Sequence, residues 1–359
     1  MKKPPNLLLL VLMCLVCCPA EAAEPDIVSS ASSVNNANSV NMRVLSYNVW
    51  MVPIQGKRST ERAKIIGSGL GCYDLVFLQE VFGDKSKDRI LSNTSSGFSV
   101  RYRGEKDTLL DSGAITLSRN CITKCKFKKF GTCRGPQCYS GRGILYVQIR
   151  LPNGVLLDTF NIHLQAMEPD ADVRCSQIND LKSMIECYND GCNPVLIAGD
   201  FNIIGENPEY YCLLERLPGY RDVWTEVNAG CPGYTWDPVK NDWGDEDHHE
   251  SKKSQRLDYI FIRDGSCASI SVQCASVDFD NKKKTGRKRL LKSNCIFPSD
   301  HFGIGSYLTV TPTGFSGTDT IIQTAPSPSD MVPLPTAETS IIEGEATETA
   351  EVPLQLNGN

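Results

Sequence analysis

Short apolar runs that end in polar residues recur along this chain and predict buried β-strands. The clearest is residues 194–202, Pro-Val-Leu-Ile-Ala-Gly-Asp-Phe-Asn, which ends in Asp200 and Asn202. Residues 42–50 and 74–80 follow a similar pattern and contain Asn48 and Glu80 near their ends. Continuous apolar runs of this length are typical of strands that are buried on both faces. Taken alone, residues 194–202 are equally compatible with a strand followed by an ordinary Asx turn.

Helical and hairpin patterns fill the intervals between these strands. Helices are predicted at 59–70, 84–91, 173–188 and 208–217. Further strands are predicted at 98–102, 113–118, 143–151, 155–163, 256–262 and 303–310. The turn Pro152-Asn153-Gly154 predicts a hairpin, and the Cys-rich and Gly-rich residues 119–142 predict a stapled loop. This interleaving predicts an α+β sandwich of two sheets with helices outside.

The two ends of the chain differ in composition from its body. Residues 1–22 combine Lys2 and Lys3 with a short apolar run and the sequence Ala20-Glu21-Ala22, which is the pattern of a secretory signal peptide. Residues 23–41 are small and polar and predict a disordered spacer. Residues 311–359 are acidic and rich in Ser, Thr and Pro, and predict a disordered tail. We therefore expect a secreted protein whose folded domain covers residues 42–310.

Cysteine usage agrees with an oxidising compartment. The chain has 16 Cys, and three of them fall within the predicted signal peptide. The other thirteen are dispersed along residues 72–295. Such cysteines predict disulfides, with one left unpaired because their number is odd. The spacing of Cys121 and Cys125 and of Cys133 and Cys138 also fits zinc, but the secreted context favours disulfides. The sequon Asn93-Thr94-Ser95 predicts a glycosylated surface loop.

The charge is unevenly distributed along the chain. The net charge is −5 at pH 7, but residues 311–359 carry seven acidic residues and no Lys or Arg. The remaining 310 residues have 37 basic and 35 acidic side chains and are nearly neutral. A nearly neutral body lacks the positive field that long nucleic acids favour, so no nucleic-acid partner is expected.

Polar residues of a particular chemistry follow the predicted strands. These residues are Asn48, Glu80, His163, Asp200, Asn202, Asp258, Asp300 and His301. Each is weak evidence alone, because a polar residue at a strand end is usually solvated or structural. Together they suit the hydrolysis of a phosphodiester. Carboxylates bind Mg²⁺, a histidine held by a carboxylate deprotonates water, and further polar groups donate hydrogen bonds to phosphoryl oxygens.

The order and spacing of these residues resemble the endonuclease/exonuclease/phosphatase superfamily. The shared motifs are Gln79-Glu80, Gly199-Asp200-Phe201-Asn202, Leu257-Asp258-Tyr259 and Ser299-Asp300-His301. Within that superfamily, finer motifs resemble the secreted bacterial-type sphingomyelinases C. Those motifs are His163-Leu164-Gln165-Ala166, Thr235-Trp236-Asp237 and Glu61-Arg62-Ala63. The resemblance covers about residues 42–310 and implies a catalytic domain, a four-layered α/β/β/α sandwich with two mixed sheets.

The resemblance also implies a cofactor and its ligands. It implies Mg²⁺, with Mn²⁺ or Co²⁺ as substitutes. The implied central metal ligand is Glu80, with Asn48 beside it and Asp200 and Asp300 as further ligands. The implied substrate is sphingomyelin at the outer surface of a bilayer, which in-line attack by water converts to ceramide and phosphocholine.

The catalytic residues are implied in the same way. His301 is expected to be the general base, oriented by Asp258. Asp200 and Asn202 are expected to position the water and the phosphate, and His163 to stabilise the transition state or assist the leaving oxygen. The head-group cation needs acids or aromatic faces. Trp236 and Tyr47 are candidates, although a core position is at least as probable for each.

One segment departs from the bacterial pattern. The bacterial enzymes carry a hairpin rich in exposed aromatic residues before the final Asp-His, whereas this chain has a basic segment from Lys282 to Lys292. The segment is either a peripheral contact with anionic lipid or an ordinary solvated loop. Residues 241–253, which include His248 and His249, have the polar composition of a solvated inserted loop, and a second metal site is the alternative.

Two other functions compete with sphingomyelin hydrolysis. A secreted nuclease on the same scaffold is favoured by the basic segment and disfavoured by the nearly neutral body. A phosphoinositide phosphatase is a weaker rival of the same kind. A membrane-binding or lytic protein without catalysis is disfavoured by the intact set of polar residues.

Overall fold

The computed structural model describes residues 38–102, 109–243, 253–285 and 294–313. Its strands are β1 Val40–Asn48, β2 Leu75–Gln79, β3 Ser99–Tyr102, β4 Ile115–Ser118, β5 Cys121–Lys129, β6 Gly143–Arg150, β7 Leu156–His163, β8 Val195–Asp200, β9 Arg221–Asp222, β10 Asp258–Arg263, β11 Ala268–Asp278, β12 Lys283–Lys284, β13 Cys295–Ile296 and β14 Gly303–Pro312. Its α-helices are α1 Ser59–Gly69, α2 Asp84–Leu91, α3 Ala171–Tyr188, α4 Pro208–Arg216 and α5 Val223–Val227.

Two six-stranded mixed sheets form the centre of the fold. The strand order is β11-β14-β1-β2-β4-β3 in the first sheet and β5-β6-β7-β8-β10-β9 in the second. Apolar residues of both sheets, including Val44, Phe77, Val147 and Leu196, pack together in one buried cluster between them. A second cluster places α1 and α2 on the outer face of the first sheet, and a third places α3 and α4 on the second. The predicted four-layered α/β/β/α sandwich is confirmed.

Parallel pairing brings two pairs of strand ends to one edge of the sandwich. In the first sheet β1 and β2 are parallel, and Asn48 is paired with Gln79. In the second sheet β7 and β8 are parallel, and His163 is paired with Asp200. The strand β10 runs antiparallel to β8 and begins with Asp258 opposite Asp200. Neighbouring strands therefore end in polar residues at a common edge, which we call the site edge.

Gly199 allows β7 and β8 to approach closely just before the site edge. It has φ +157°, and a Cβ atom placed on it would lie 2.0 Å from the backbone oxygen of Ile162. Any larger residue would push the two parallel strands apart. Glycine at this position therefore sets the separation between the ends of β7 and β8.

Two edge strands differ from what the sequence pattern predicted. Residues 119–142 are not only a stapled loop, because β5 forms an edge strand paired with β6. The eleven-residue strand β11, at the edge of the first sheet, has no counterpart in the predicted elements. The other predicted helices and strands are present, with ends that differ by a few residues.

Disulfides are fewer than the cysteine count predicts. The described residues contain two, Cys133–Cys138 and Cys192–Cys267, and nine cysteines outside them. The prediction of a single unpaired cysteine is therefore wrong for this structure. No residue of the zinc-compatible pair Cys121 and Cys125 is in a disulfide. Asn93 follows α2, is half-buried, and donates from its Nδ2 to the backbone oxygen of Arg89 at 2.7 Å.

Several predictions concern residues outside the described ranges. These are the signal peptide, most of the spacer, nearly all of the acidic tail, His248 and His249, and residues 286–293 of the basic segment. The described part of that segment begins with an exposed Lys282 and continues into β12, which pairs with β13. In the ranges that the structure describes, every helix is too short or too polar to cross a bilayer.

Candidate active site

His301 and Asp258 form a buried hydrogen-bonded pair at the site edge. The Nδ1 of His301 lies 2.8 Å from Oδ2 of Asp258, and both side chains are buried. Burial alone lowers the pKa of His301, but the negative charges of Asp258 and Asp200 outweigh it and hold this pKa well above its usual value. The pair fixes the ring orientation and leaves Nε2 pointing away from Asp258, which is the arrangement required of a general base.

Asp200 links the second sheet to the first at the site edge. Its Oδ2 accepts a hydrogen bond from Nδ2 of Asn48 at 3.0 Å, and Asn48 belongs to the first sheet. The same oxygen lies 3.4 Å from Nε2 of His163 and 3.8 Å from Nε2 of His301. Burial, followed by the charge of Asp258, raises the pKa of Asp200. One carboxylate oxygen thus faces an amide and two imidazoles.

Glu80 and His163 complete the cleft on its other side. Nε2 of His163 lies 3.8 Å from Oε1 of Glu80, and the same oxygen accepts from Nη2 of Arg142 at 3.2 Å. Burial, followed by the positive charge of Arg142, lowers the pKa of His163 well below its usual value. The ring is therefore neutral near pH 7. Because Nε2 faces two carboxylates, its proton belongs on that atom.

Two residues at the site adopt left-handed backbone conformations although they are not glycine. Glu80 has φ +60° and Asn202 has φ +52°. The backbone N–H of Asn202 donates to Oδ1 of Asp200 at 2.9 Å, and its Nδ2 donates to the backbone oxygen of Leu164 at 3.1 Å. Such conformations are uncommon for residues with a side chain and concentrate at functional sites. Here they turn the chain at the ends of β2 and β8, where Glu80 and Asn202 lie.

Asp300 is engaged by its own loop. Its Oδ1 accepts from Oγ of Ser299 and from the backbone N–H of His301, both at 2.9 Å. Ser299 also donates to the backbone oxygen of Asn48 at 2.8 Å. These contacts join the segment before β14 to the end of β1, and they give Asp300 a visible part in holding His301 in place.

The donor set fits a divalent cation. Carboxylate oxygens of Glu80 and Asp200 are the ligands that Mg²⁺ prefers. Asn48 would add its amide oxygen Oδ1, which also accepts a hydrogen bond from the backbone N–H of Trp50 at 3.1 Å. Among the described residues, ligand atoms of Asp200, Asp258 and His301 lie within 4.8 Å of one another and could hold a metal ion. Of the four predicted ligands, this cluster contains only Asp200. Oδ1 of Asp258 is buried and has no hydrogen-bond partner within the described part of the chain. The cleft therefore contains a buried carboxylate oxygen that can accept a further hydrogen bond.

Both aromatic candidates for the head-group cation are in the core. Trp236 is fully buried and packs its ring edge to face with His301, at 5.3 Å between ring centroids. Tyr47 is also fully buried and stacks on Phe279 at 4.8 Å. Neither ring has a face open to a choline group, so the core role is the one that the structure supports.

Sequence reasoning missed the residues that support the cleft. The side chain of Arg142 is 13% exposed, and its Nη1 donates to Oε1 of Gln137 at 2.7 Å while its Nη2 contacts Glu80. Burial lowers the pKa of this guanidinium, with Glu80 opposing that effect. An arginine just before a strand has no pattern that separates it from a solvated one, and only its neighbours in space reveal the contact.

Two further side chains tie separate loops to the site. The guanidinium of Arg62 donates to the backbone oxygens of Val49 and Pro298 at 2.8 and 3.0 Å. Nδ2 of Asn241 donates to the backbone oxygens of Ser299 and Asp300 at 2.9 and 3.0 Å. Arg62 lies in the motif Glu61-Arg62-Ala63, which is part of the resemblance to the sphingomyelinases, whereas no local sequence pattern identifies Asn241. Both hold the segment that delivers His301.

Known proteins resemble this chain in sequence and in fold. No protein-family model matches. An inositol phosphosphingolipids phospholipase C of Schizosaccharomyces pombe is 26% identical over 306 residues, which cover 75% of this chain and 68% of that protein. A sphingomyelinase C of Bacillus cereus is 28% identical over 267 residues, covering 65% and 78%. A Staphylococcus aureus beta toxin mutant solved with bound magnesium ions superposes with a TM-score of 0.60 at 22% identity, over 75% of this chain and 99% of that one. At that identity the superposition shows the shared fold.

Proposed function

Because the chain belongs to the endonuclease/exonuclease/phosphatase-like sphingomyelinase family, we propose that it is a metal-dependent phosphodiesterase that hydrolyses sphingomyelin to ceramide and phosphocholine. This proposal rests on a continuous row of side chains across the cleft, in which each polar group lies 2.8–3.8 Å from the next. In spatial order the row consists of Asp258, His301, Asp200, His163, Glu80 and Arg142. The row joins a candidate base, a candidate metal ligand and groups that stabilise negative charge within one cleft.

His301 acts as the general base in this proposal. Its Nε2 takes a proton from water while the water oxygen forms a bond to phosphorus and the bond from phosphorus to the ceramide oxygen breaks. The departing oxygen takes a proton from solvent, which gives the hydroxyl of ceramide. Asp258 holds the ring by its Nδ1 and stabilises the imidazolium that results. The raised pKa of His301, caused by Asp258 and Asp200 against the effect of burial, favours that protonated product.

His163 serves as a neutral hydrogen-bond donor rather than as a cation. Its pKa is lowered by burial and by Arg142, so the ring is uncharged at the pH of the reaction. A neutral Nε2–H directed into the cleft donates to a phosphoryl oxygen as its charge develops, or to the departing ceramide oxygen. Asp200 orients the attacking water, and Asn202 contributes its amide to the same position.

Glu80, Asn48 and Asp200 are the residues that would hold the cation. Mg²⁺ bound there would neutralise a phosphate oxygen and so favour attack by water. Glu80 is kept in place by Arg142 at 3.2 Å, and Asn48 by its hydrogen bond to Asp200. Asp300 is the fourth predicted ligand, and its hydrogen bond from Ser299 also holds the segment before β14 in place.

The decisive experiment compares products with and without a chelator. The wild-type full chain in Mg²⁺ is expected to release phosphocholine from sphingomyelin, and EDTA is expected to abolish the release. The variant H301Q is expected to lose about 10²–10⁴-fold in kcat, because a positioned general base contributes about that much. The matched control E226Q removes a carboxylate from an exposed ion pair with Arg221 and should remain fully active.

Assays with other substrates, run in parallel, distinguish the competing functions. Hydrolysis of an inositol phosphosphingolipid would show that the enzyme prefers the head group named for the fungal relative over that of the bacterial ones. Plasmid DNA tests the nuclease alternative. Nicking of DNA without release of phosphocholine would contradict the proposal. Membrane damage that survives in H301Q would favour a lytic protein without catalysis.

The proposal also includes the route of the protein out of the cell. Residues 1–22 would be removed as a signal peptide, and residues 42–310 would be the catalytic domain between a spacer and an acidic tail. Amino-terminal sequencing of protein collected from the medium should begin near residue 23. A glycan on Asn93 should be removable by an amidase, and the variant N93Q should lack it.

A further inference from the structure

The segment Thr235-Trp236-Asp237 lies between the two halves of the proposed catalytic pair. Asp258 begins β10 in the second sheet, whereas His301 lies just before β14 in the first sheet. Their hydrogen bond therefore depends on how accurately the two sheets are held together at the site edge. Thr235 and Trp236 are fully buried, although they lie outside the named strands and helices. A buried segment of this kind must find partners for its backbone groups in the elements on either side.

The hydroxyl oxygen of Thr235 holds the backbone at the start of β10. It accepts hydrogen bonds from the N–H groups of Leu257 and Asp258, at 3.0 and 3.1 Å. One side-chain oxygen therefore fixes two consecutive peptide groups. The carboxylate of Asp258 is not fixed from all sides, because its buried Oδ1 has no hydrogen-bond partner among the described residues. The position of this carboxylate therefore follows that of its backbone.

The main chain of the same segment holds the residues around His301. The backbone oxygen of Thr235 accepts from the N–H of Phe302 at 2.6 Å. Trp236 forms an isolated antiparallel bridge with His301, and its ring packs against the imidazole with 5.3 Å between centroids. A second bridge joins Trp236 to Gln255, with backbone hydrogen bonds of 2.9 and 2.7 Å. The segment thus connects the two sides of the catalytic pair.

Asp237 closes a turn that fastens the His301 side a second time. Its Oδ1 accepts from Oγ of Ser254 at 2.8 Å, and its backbone oxygen accepts from the N–H of Asn241 at 2.8 Å. The side chain of Asn241 in turn donates to the backbone oxygens of Ser299 and Asp300. The turn therefore holds the segment before β14 through contacts that are independent of Thr235.

We propose that Thr235 is a positioning residue of the hydrolysis, whose hydroxyl and backbone oxygens set the separation between Asp258 and His301. This inference rests on the proposed function, in which His301 is the base and Asp258 orients it. Thr235 does not touch the reacting atoms and acts through the pair. A displacement of about 1 Å at a catalytic group can cost about 100-fold in rate. The hydroxyl is therefore required for activity, whereas the methyl group of Thr235 only fills space.

The test compares T235V, which lacks the hydroxyl but keeps the volume, with T235S, which keeps the hydroxyl. T235V should lower kcat on sphingomyelin about 10–100-fold and leave KM within about twofold, because the pair acts on the transition state rather than on binding. T235S should stay within about threefold of the wild type, because it loses only a buried methyl group. Calorimetry checks that each full chain is folded at the assay temperature. If T235V does not fold, T235A replaces it, since T235A and T235S differ only in the hydroxyl.

The matched control is T159V, which removes a buried hydroxyl elsewhere in the second sheet. Thr159 is fully buried on β7, and its hydroxyl donates to the backbone oxygen of Val147 at 2.6 Å. Its partners on the neighbouring strands are Val147 and Leu196. T159V is expected to lose stability but to keep kcat within about twofold of the wild type. Loss of a buried hydroxyl is thereby separated from loss of the pair's geometry.

A proton NMR signal reports the geometry of the pair without any turnover. The proton between Nδ1 of His301 and Oδ2 of Asp258 should give a far-downfield resonance in the full chain in EDTA, and its absence in H301Q assigns it. The shift of such a proton depends on the length of its hydrogen bond. We expect the same shift in the wild type, T159V and T235S, and an upfield shift or loss of the signal in T235V.

Three results would overturn the inference. They are an unchanged kcat in the folded variant without the hydroxyl, an unchanged proton signal in that variant, and a loss of activity in T235S as large as in T235V, which would assign the effect to packing of the methyl group. If the wild type hydrolyses no sphingolipid, the proposed function is rejected, and the proton signal still decides whether Thr235 sets the geometry of the pair.

Discussion

Individual side chains at the site edge show how burial and neighbouring charge assign opposite states to two histidines. The pKa of His301 is raised because Asp258 and Asp200 outweigh the effect of burial, whereas burial and Arg142 lower that of His163. Two identical side chains that both contact Asp200 can therefore serve as a base and as a neutral donor. This division follows from one additional carboxylate beside His301 and one guanidinium near His163.

Replacing Asp258 should change the pH dependence as well as the rate. His301 must be unprotonated to accept a proton, so activity rises with pH through its pKa. Asp258 is the main group that raises this pKa, and D258N should shift the acid limb of kcat to lower pH. The plateau should fall about 100-fold, because the ring loses its fixed orientation. A pH profile of kcat checks both effects, and an unshifted acid limb would show that another group titrates.

Removing the arginine behind Glu80 should weaken the site without changing its ligands. Arg142 fixes Glu80 at 3.2 Å and is fixed in turn by Gln137. We expect R142Q to reduce apparent Mg²⁺ affinity or activity about 10–100-fold, as loss of a ligand-orienting partner usually does. A titration of activity against Mg²⁺ measures this change. The control R150Q alters an exposed arginine at the end of β6 and should match the wild type.

At the scale of elements, the parallel pairs β1–β2 and β7–β8 place the site. Each pair ends in polar residues at one edge, and each is covered by helices on its outer face. A polar bridge also crosses between the sheets, since Nε2 of Gln79 donates to Oδ1 of Asn161 at 2.9 Å. The separation of strand ends is therefore as important to the cleft as the identity of its side chains.

A methyl group at Gly199 should disturb β7 and β8 directly. Its Cβ would lie 2.0 Å from the backbone oxygen of Ile162, which cannot move without breaking the pairing. We expect G199A to lower the free energy of unfolding by about 3 kcal/mol, the upper range for overpacking. Gly154 also has positive φ but nothing within 4 Å, so the control G154A should cost about 1 kcal/mol. Denaturant titration compares them, and equal losses would show that φ alone matters.

At the scale of the molecule, two sheets must pack before the site exists. Asn48 and Glu80 come from the first sheet, and His163, Asp200 and Asp258 come from the second. Bringing these carboxylates together is unfavourable without a cation, because burial and Asp258 raise the pKa of Asp200. Metal binding should therefore stabilise the whole fold rather than a single loop.

Removal of the metal should lower the thermal stability of the full chain. Mg²⁺ at about 100 times its Kd should stabilise the folded state by about 2.7 kcal/mol. For a domain of this size that corresponds to a rise in Tm of about 5–10 °C. Calorimetry in Mg²⁺ and in EDTA measures the rise, which E80Q should largely abolish. An equal rise in E80Q would place the cation elsewhere.

The central strands could be predicted from sequence because burial on both faces produces continuous apolar runs. The runs of β2, β8 and β10 and the buried second half of β1 are of this kind, and the polar residues that end or follow them were identified with them. The edge strands β5 and β11 could not, because each has an exposed side and mixed polar residues. Polar and charged residues are spread along β5 and β11, so their sequence pattern does not distinguish them from a loop.

The sequence by itself determined which residues end the buried strands, and hence the chemistry available at one edge of the sandwich. Tertiary structure decided how those residues act. The partnership of His301 with Asp258 spans 43 positions, that of Asn48 with Asp200 spans 152, and the contact of Arg142 with Glu80 has no local pattern at all. Protonation and orientation depend on neighbours within a few ångströms, and only packing of the two sheets brings those neighbours together.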